Sequence, residues 1–338
     1  MDIALLAHEK FPDDAKTALG ILRYSDDNVV AVLDRDSPGT RVHDTTPDVQ
    51  DAPVVASIDD VEADYDALVI GIAPIGGGFD DSWRDDVRTA LKAGKDVISG
   101  LHYFLEEDEE FARLAEENGA ELWDVRKPHD GLSVAKGIAD SVDAEVILTV
   151  GTDCSVGKMT VSLELARRAQ ERGIDAEFIP TGQTGIMIEG WGNPIDRVIS
   201  DFTAGAVEEM ILEKGNDHDY LFVEGQGTII HPAYSAVTCG ILHGSMADKL
   251  ILCHASGREA IHGYESFALP DFQTYKNLYE DLARPVHQTE VVAGALNTRS
   301  IKDDEEAASA VEAYADAIDA PAQDPVRFDP DTILDEVL

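Results

Sequence analysis

The string Gly151-Thr-Asp-Cys-Ser-Val-Gly-Lys-Met-Thr160 constrains this chain more than any other feature, because it stands between a strand-like run, EVILTV, and a helix-like one, VSLELARRAQERG. A strand that enters a glycine loop opening a helix is the context in which backbone cradles phosphate. Glycines let the amides point inward as an anion nest, the helix N-terminus adds positive potential, and Lys158 supplies a mobile cation. Gly151, Thr152, Asp153, Cys154, Ser155, Val156, Gly157, Lys158, Met159 and Thr160 are therefore the expected phosphate-binding residues.

The rest of the chain repeats the same rhythm. Apolar, β-branched runs at Ile3–His8, Val29–Asp34, Ala67–Pro74 and Asp96–Gly100 alternate with amphipathic stretches, and the pattern restarts at Glu145–Val150, Ala176–Ile179, Tyr220–Val223, Lys249–Cys253 and Val291–Leu296. Alternation of this kind predicts α/β architecture with parallel sheets. With 338 residues at roughly 100–200 per domain, two domains are expected: residues 1–130, Rossmann-like, and 140–338, P-loop-like, joined through Trp123–Asp143. The tail from Ala320 to Leu338 carries helix-start and proline signals and is expected to pack back on the body. Asp34 closes a strand where dinucleotide folds often keep a ribose-binding acid, but the first turn, AHEKFPDD, lacks GxGxxG, so no nicotinamide site is expected. The glycines of Gly71–Phe79 suit either a ligand loop or a tight strand-to-helix turn. His102 follows a strand end and is read either as a group facing a cleft or as a structural histidine.

Charge excludes several function classes. Asp and Glu total 67 against 26 Lys and Arg, spread along the whole chain, for a net charge of −41. The apolar fraction of 44% is ordinary, so the charge signals an unusual surface and not disorder. Such a surface self-repels at low salt, whereas molar salt shortens screening to about 3 Å; a salt-loving, cytoplasmic protein is expected. Nucleic acid and anionic membrane are not expected as partners, since both call for a basic footprint. Cys154, Cys239 and Cys253 show no CxxC spacing, so neither a disulfide framework nor a structural zinc site is suggested.

Further candidates gather around strand ends. In YLFVEGQGTIIHPAYS the strand ends at Glu224, an acid placed to hold a metal or to accept a proton, unless it caps the turn; Gly225 and Gln226 follow as substrate contacts, and His231 is a second proton carrier or a turn stabiliser. PTGQTGIMIEGWG offers Gln183 and Thr184 as uncharged donors, and Asn297 ends the strand of VVAGALNT as a ligand contact or a turn residue. Arg197 is either a clamp for a substrate carboxylate or half of a salt bridge. Cys154 has no base beside it by spacing, and His243, His254 and His262 lack metalloprotease spacing.

Five residues separate Gly151 from Gly157, where the common P-loop has four. The string resembles the dethiobiotin synthetase branch of P-loop proteins, whose loop begins Gly-Thr-Asp and ends Val-Gly-Lys-Thr, and EGQG resembles its Glu-Gly-Ala-Gly-Gly element. That resemblance implies ATP with magnesium, with Thr160 and Glu224 as the metal contacts, although Met159 stands where the family's magnesium-binding hydroxyl sits. GLHYFL, DVRKP, GTDCSVGKMT, GQTGIMIEGWG, DRVISDF, EGQGTIIHPAYS and DPVRFDP together cover most of the chain in order. They resemble a two-domain family long catalogued as of unknown function and associated with D-glutamate N-acetyltransferase. This second resemblance implies acetyl-CoA as donor and a small acidic or D-amino acid as acceptor. Glu224 or His231 would be the base, amides near Gly225 would bind the developing oxyanion, and Arg197 would take the carboxylates. Coenzyme A carries a diphosphate, so the loop can hold it without a magnesium ligand. A third reading is a nucleotide sensor without turnover. A homo-oligomer is a mild expectation.

Overall fold

The computed structural model describes residues 1–74 and 76–338. It divides into two compact units, Met1–Pro128 with Gln183–Pro194, and His129–Gly182 with Ile195–Leu338. The strands in chain order are β1 (Asp2–Leu6), β2 (Asn28–Leu33), β3 (Val54–Val55), β4 (Ala67–Ile70), β5 (Asp96–Ser99), β6 (Leu122–Asp124), β7 (Glu145–Gly151), β8 (Ala176–Ile179), β9 (Tyr220–Val223), β10 (Lys249–Ala255), β11 (Ala260–Ile261), β12 (Tyr264–Ala268), β13 (Glu290–Asn297) and β14 (Ala322–Gln323).

The first unit is a parallel sheet in the order β3-β2-β1-β4-β5-β6. All four side chains of β4, ALVI, are buried, as a sheet covered on both faces requires. The winding reverses between β1 and β4, which makes their carboxyl ends the ligand-binding edge of such a sheet. Two groups near that edge are satisfied by the chain itself. Fully buried Asp34, just past β2, accepts from the Glu9 amide at 2.7 Å and from the Ser37 hydroxyl at 2.5 Å. Beyond β4, the His102 amide donates to the Gly77 carbonyl at 2.8 Å. A Cβ on Gly77 (φ +62) would come within 2.3 Å of the His102 ring, so His102 backs the glycine loop. Ile75 of that loop lies outside the described residues.

The second unit is a parallel sheet in the order β14-β13-β10-β7-β9-β8, and its winding reverses between β7 and β10. β11 and β12 form a separate antiparallel hairpin. The tail helix, Asp331–Val337, buries Ile333, Leu334 and Val337.

β8 and β9 coincide with the runs read from the sequence, and the other expected strands are found with ends shifted by a few residues. The stretch Trp123–Asp143 is not wholly a connection, because Trp123 and Asp124 belong to β6. β3, β6 and β14 are edge pieces too short for a periodic signal. The helix Gln183–Glu189 groups with the first unit, which a single cut between residues 130 and 140 does not anticipate. Part of the acid excess caps helices: Asp108 accepts from the Glu110 and Phe111 amides, and Asp303 from those of Glu305 and Glu306.

Candidate phosphate-loop site

β7 delivers the chain at Gly151 to the carboxyl edge of the second sheet, where the Thr152 amide donates to the Cys253 carbonyl at 3.0 Å. Two tyrosines then fix the loop from behind. Tyr279 donates to the Gly151 carbonyl and Tyr275 to the Thr152 carbonyl, each at 2.7 Å. With these acceptors held by buried phenols, the uncapped amides that open the following helix are the ones placed to meet a ligand. Both phenols are pushed well above their ordinary pKa by burial, so they remain donors at any working pH.

The loop turns through Ser155 (φ 55) and Gly157 (φ 106), the second a value that side chains rarely adopt. The helix Lys158–Glu171 starts at once, with no side-chain cap on its first turn. Lys158 folds back over the loop, its Nζ donating to the Asp153 carbonyl at 2.8 Å. Glycine at 151 makes room for this: a Cβ there would meet Lys158 Nζ and Val156 Cγ2, each at 3.0 Å. Burial lowers the Lys158 pKa, while Cys154, Cys253, Asp153 and Glu224 act to raise it. A desolvated ammonium pointed into an anion nest gains most when a ligand anion arrives.

Asp153 is fully buried and fully engaged. Arg258 Nη1 lies 2.6 Å from its Oδ2, the His262 amide donates to the same oxygen at 2.9 Å, and the Cys154 amide donates to Oδ1 at 2.7 Å. The hairpin β11–β12 is thereby rooted on the loop. Thr152 pairs with His254 Nδ1 at 2.8 Å, and burial, with Arg258 adding to it, lowers the His254 pKa to about 4.

The end of β9 packs beneath. A Cβ on Gly225 would sit 1.7 Å from the Thr149 carbonyl oxygen, so nothing larger fits. The Gly225 amide donates to the Thr149 hydroxyl at 3.1 Å. Glu224 Oε2 accepts from the Thr181 and Gly182 amides at 3.0 and 2.9 Å, and Gln226 Nε2 donates to the Thr181 carbonyl at 2.6 Å. Both side chains thus brace the end of β8. Asn297, at the end of β13, reaches the loop: its Nδ2 would lie 3.8 Å from a Cβ on Gly157.

His231 is almost wholly buried, and its Nδ1 accepts from the amides of Ala233 (3.0 Å) and Tyr234 (3.2 Å). A ring nitrogen of His231, a carboxylate oxygen of Asp153 and the sulfur of Cys154 lie within 4.8 Å of one another. This is the one metal-like grouping of His, Cys, Asp and Glu among the described residues, and it does not include Glu224. Its Asp153 oxygens are committed to amides and Arg258, which makes a poor cation cage.

The expected loop residues, Asn297, Glu224, Gly225, Gln226 and His231 therefore converge in one unit. Gln183 and Thr184 group with the other unit. There the Thr184 hydroxyl lies 2.9 Å from that of Thr17 and Gln183 packs against Gly100. Arg197 is exposed in the short turn Ile195–Arg197. Met159 and Thr160 are half-buried at the helix start. Sequence reasoning missed Tyr275, Tyr279 and Arg258; the i, i+4 spacing of the tyrosines marks one helix face, but nothing local names the carbonyls they reach.

Comparison with known proteins bears on the same residues. Positions 133–334 match the family described as a domain of unknown function, DUF1611, C-terminal P-loop domain, and 35–128 match its N-terminal Rossmann-like domain. A protein of Tritonibacter scottomollicae named D-glutamate N-acetyltransferase is 35% identical over 324 residues, spanning 95% of this chain and 93% of its own. One of the same name from a Pseudoalteromonas species is 36% identical over 268 residues, 79% of this chain and 80% of its own. A crystal structure of a DUF1611 family protein from Anabaena variabilis aligns with TM-score 0.95 at 38% identity, covering 99% of this chain and 98% of that one.

Proposed function

The chain belongs to the DUF1611 family, and from that premise we propose that it is an N-acetyltransferase, moving acetyl from acetyl-CoA to the amine of D-glutamate. The observation that carries this reading is the loop itself: a glycine loop opening a helix with Lys158 folded over it and Met159 where a magnesium-binding hydroxyl would be needed for phosphoanhydride chemistry. The names of the two relatives supply the donor and acceptor.

The loop Gly151–Thr160 and Asn297 would hold the phosphates of coenzyme A, whose thioester supplies the activated acetyl group. The substrate ammonium must lose one proton to the base, and from there to solvent, to become a nucleophile; the amine nitrogen then bonds to the acetyl carbon as the carbon–sulfur bond breaks, and the second proton shed by that nitrogen goes to the departing thiolate. Glu224 is the base candidate on this chain, and amides near Gly225 are the candidate donors to the acyl oxygen. Arg197 remains the candidate for the substrate carboxylates.

Calorimetry in molar KCl, chosen for the net charge of −41, tests the reading by comparing acetyl-CoA with ATP plus magnesium. Acetyl-CoA binding followed by acetylation of D-glutamate is the expected result. Magnesium-ATP binding with no acetyl-CoA signal would overturn it in favour of a ligase or kinase of dethiobiotin synthetase type; tight binding without product from any acceptor would favour a sensor.

A further inference from the structure

The sequence reads His231 as a proton carrier or a turn stabiliser; its Nδ1 contacts fit the second reading, and the rest of the ring is left for a further task. Its Nδ1 accepts from two backbone amides, Ala233 at 3.0 Å and Tyr234 at 3.2 Å. A nitrogen that accepts carries no hydrogen, so the ring is neutral and its single proton sits on Nε2. The ring has no lone pair left to receive a substrate proton or to bind a metal, which rules against a base and against the metal-like grouping with Asp153 and Cys154.

What remains is a rigid N–H. Nε2 has no partner among the described residues, although the residue is 1% exposed. The ring is clamped between Tyr234, at 4.5 Å between centroids, and Tyr264 of β12, edge-on at 5.1 Å. Tyr264 belongs to the hairpin that Arg258 and His262 tie to Asp153. The donor is therefore held at the phosphate loop by two separate segments. Burial, with Lys158 adding to it and Asp153 opposing, keeps the ring below the ordinary histidine pKa, so it stays neutral at physiological pH.

We propose that His231 is a fixed, neutral N–H donor to an anionic oxygen of the ligand held at the phosphate loop. That oxygen belongs either to a phosphate of the bound donor or to the acyl group, on which charge develops during transfer; the second case rests on the acetyltransferase reading. A neutral imidazole suits both, because it donates without releasing its proton.

His231→Asn separates this role from a structural one. The Asn Oδ1 takes the place of Nδ1 and keeps the two amide bonds, but no group remains at Nε2. The variant is expected to melt with the wild type. If the oxygen is a phosphate's, acetyl-CoA binds about tenfold to a hundredfold more weakly at unchanged kcat. If it is the acyl oxygen, the dissociation constant holds and kcat for D-glutamate falls about a hundredfold to a thousandfold. Wild-type affinity together with wild-type kcat would overturn the proposal.

An independent readout is the nitrogen NMR spectrum of 15N-histidine-labelled wild type. It should show His231 as the Nε2–H tautomer from pH 6 to 8, with that proton moving when acetyl-CoA is added. An Nδ1–H tautomer, or titration near neutrality, would overturn the proposal even if the variant fails to fold. Should wild type ignore acetyl-CoA, the acetyltransferase reading fails alone, and inorganic pyrophosphate becomes the probe: equal binding by wild type and variant, or none by either, then overturns the donor role.

Discussion

At the carboxyl edge of the N-terminal sheet, the acid that could greet a ligand, Asp34, is already taken by the Glu9 amide and the Ser37 hydroxyl. At the same edge of the C-terminal sheet, the Gly151 and Thr152 carbonyls are held from behind by Tyr279 and Tyr275, and Lys158 folds back onto the Asp153 carbonyl. Two doubly wound sheets with similar switch points thus differ in where their polar groups are satisfied. In one, the acid at the edge is satisfied by the chain's own amide and hydroxyl. In the other, partners are placed behind the loop so that its front stays available. Topology marks where a site can be, and the hydrogen-bond accounts of the loop decide whether there is one.

The contrast is broken most severely at Gly225. Gly225→Ala forces a methyl to 1.7 Å from the Thr149 carbonyl oxygen and is expected to destabilise the protein by about 3 kcal/mol or more. Gly78→Ala in the N-terminal glycine loop, where a Cβ meets nothing within 4 Å, is expected to melt with the wild type. Equal thermal shifts for the two would remove the claimed tightness of the C-terminal edge.

Lys158→Ala should weaken acetyl-CoA binding about a hundredfold by calorimetry while leaving the melting temperature unchanged or higher, since it deletes a buried ammonium. A stability loss with intact binding would make Lys158 structural. His254 gives a pH signature. Its folded pKa of about 4 lies below the unfolded value near 6.5, so only the unfolded chain gains a proton between them. The neutral ring's contribution is intact above pH 6.5 and is lost as pH falls toward 4, by about 3 kcal/mol in all. Denaturant midpoints of His254→Gln should lack that part of the wild-type slope. Asp34→Ala should cost about 1–3 kcal/mol by orphaning the Glu9 amide, with acetyl-CoA affinity untouched; a change in affinity would mean that the N-terminal edge is not closed on itself.

The P-loop and the strands around it were legible because their signals are local: EVILTV, the two glycines and Lys158 stand within fourteen residues, and β8 and β9 are short apolar runs ended by Pro180 and Glu224. What stayed illegible depends on distant segments. Nothing near Asp153 announces Arg258, and the helix Gln183–Glu189 looks like part of the unit it leaves. From the sequence, Glu224 reads as a metal or proton group or as a turn cap and Gln226 as a substrate contact, whereas much of their hydrogen bonding goes to bracing Thr181 and Gly182. His231 was found as a residue, but its task lay in the amides of Ala233 and Tyr234.

The fastening of the loop by Arg258, Tyr275 and Tyr279 also sets a timetable. Residues 151–160 leave the ribosome near the middle of synthesis, yet the groups that hold the Gly151 and Thr152 carbonyls and the Asp153 carboxylate are made more than a hundred residues later. A nascent chain halted before residue 258 can pair β7 with β9 but lacks every one of these fasteners. Ligand competence therefore arrives late in synthesis, as a property of the nearly complete polypeptide, and contacts of such sequence separation also slow folding of the domain that carries it.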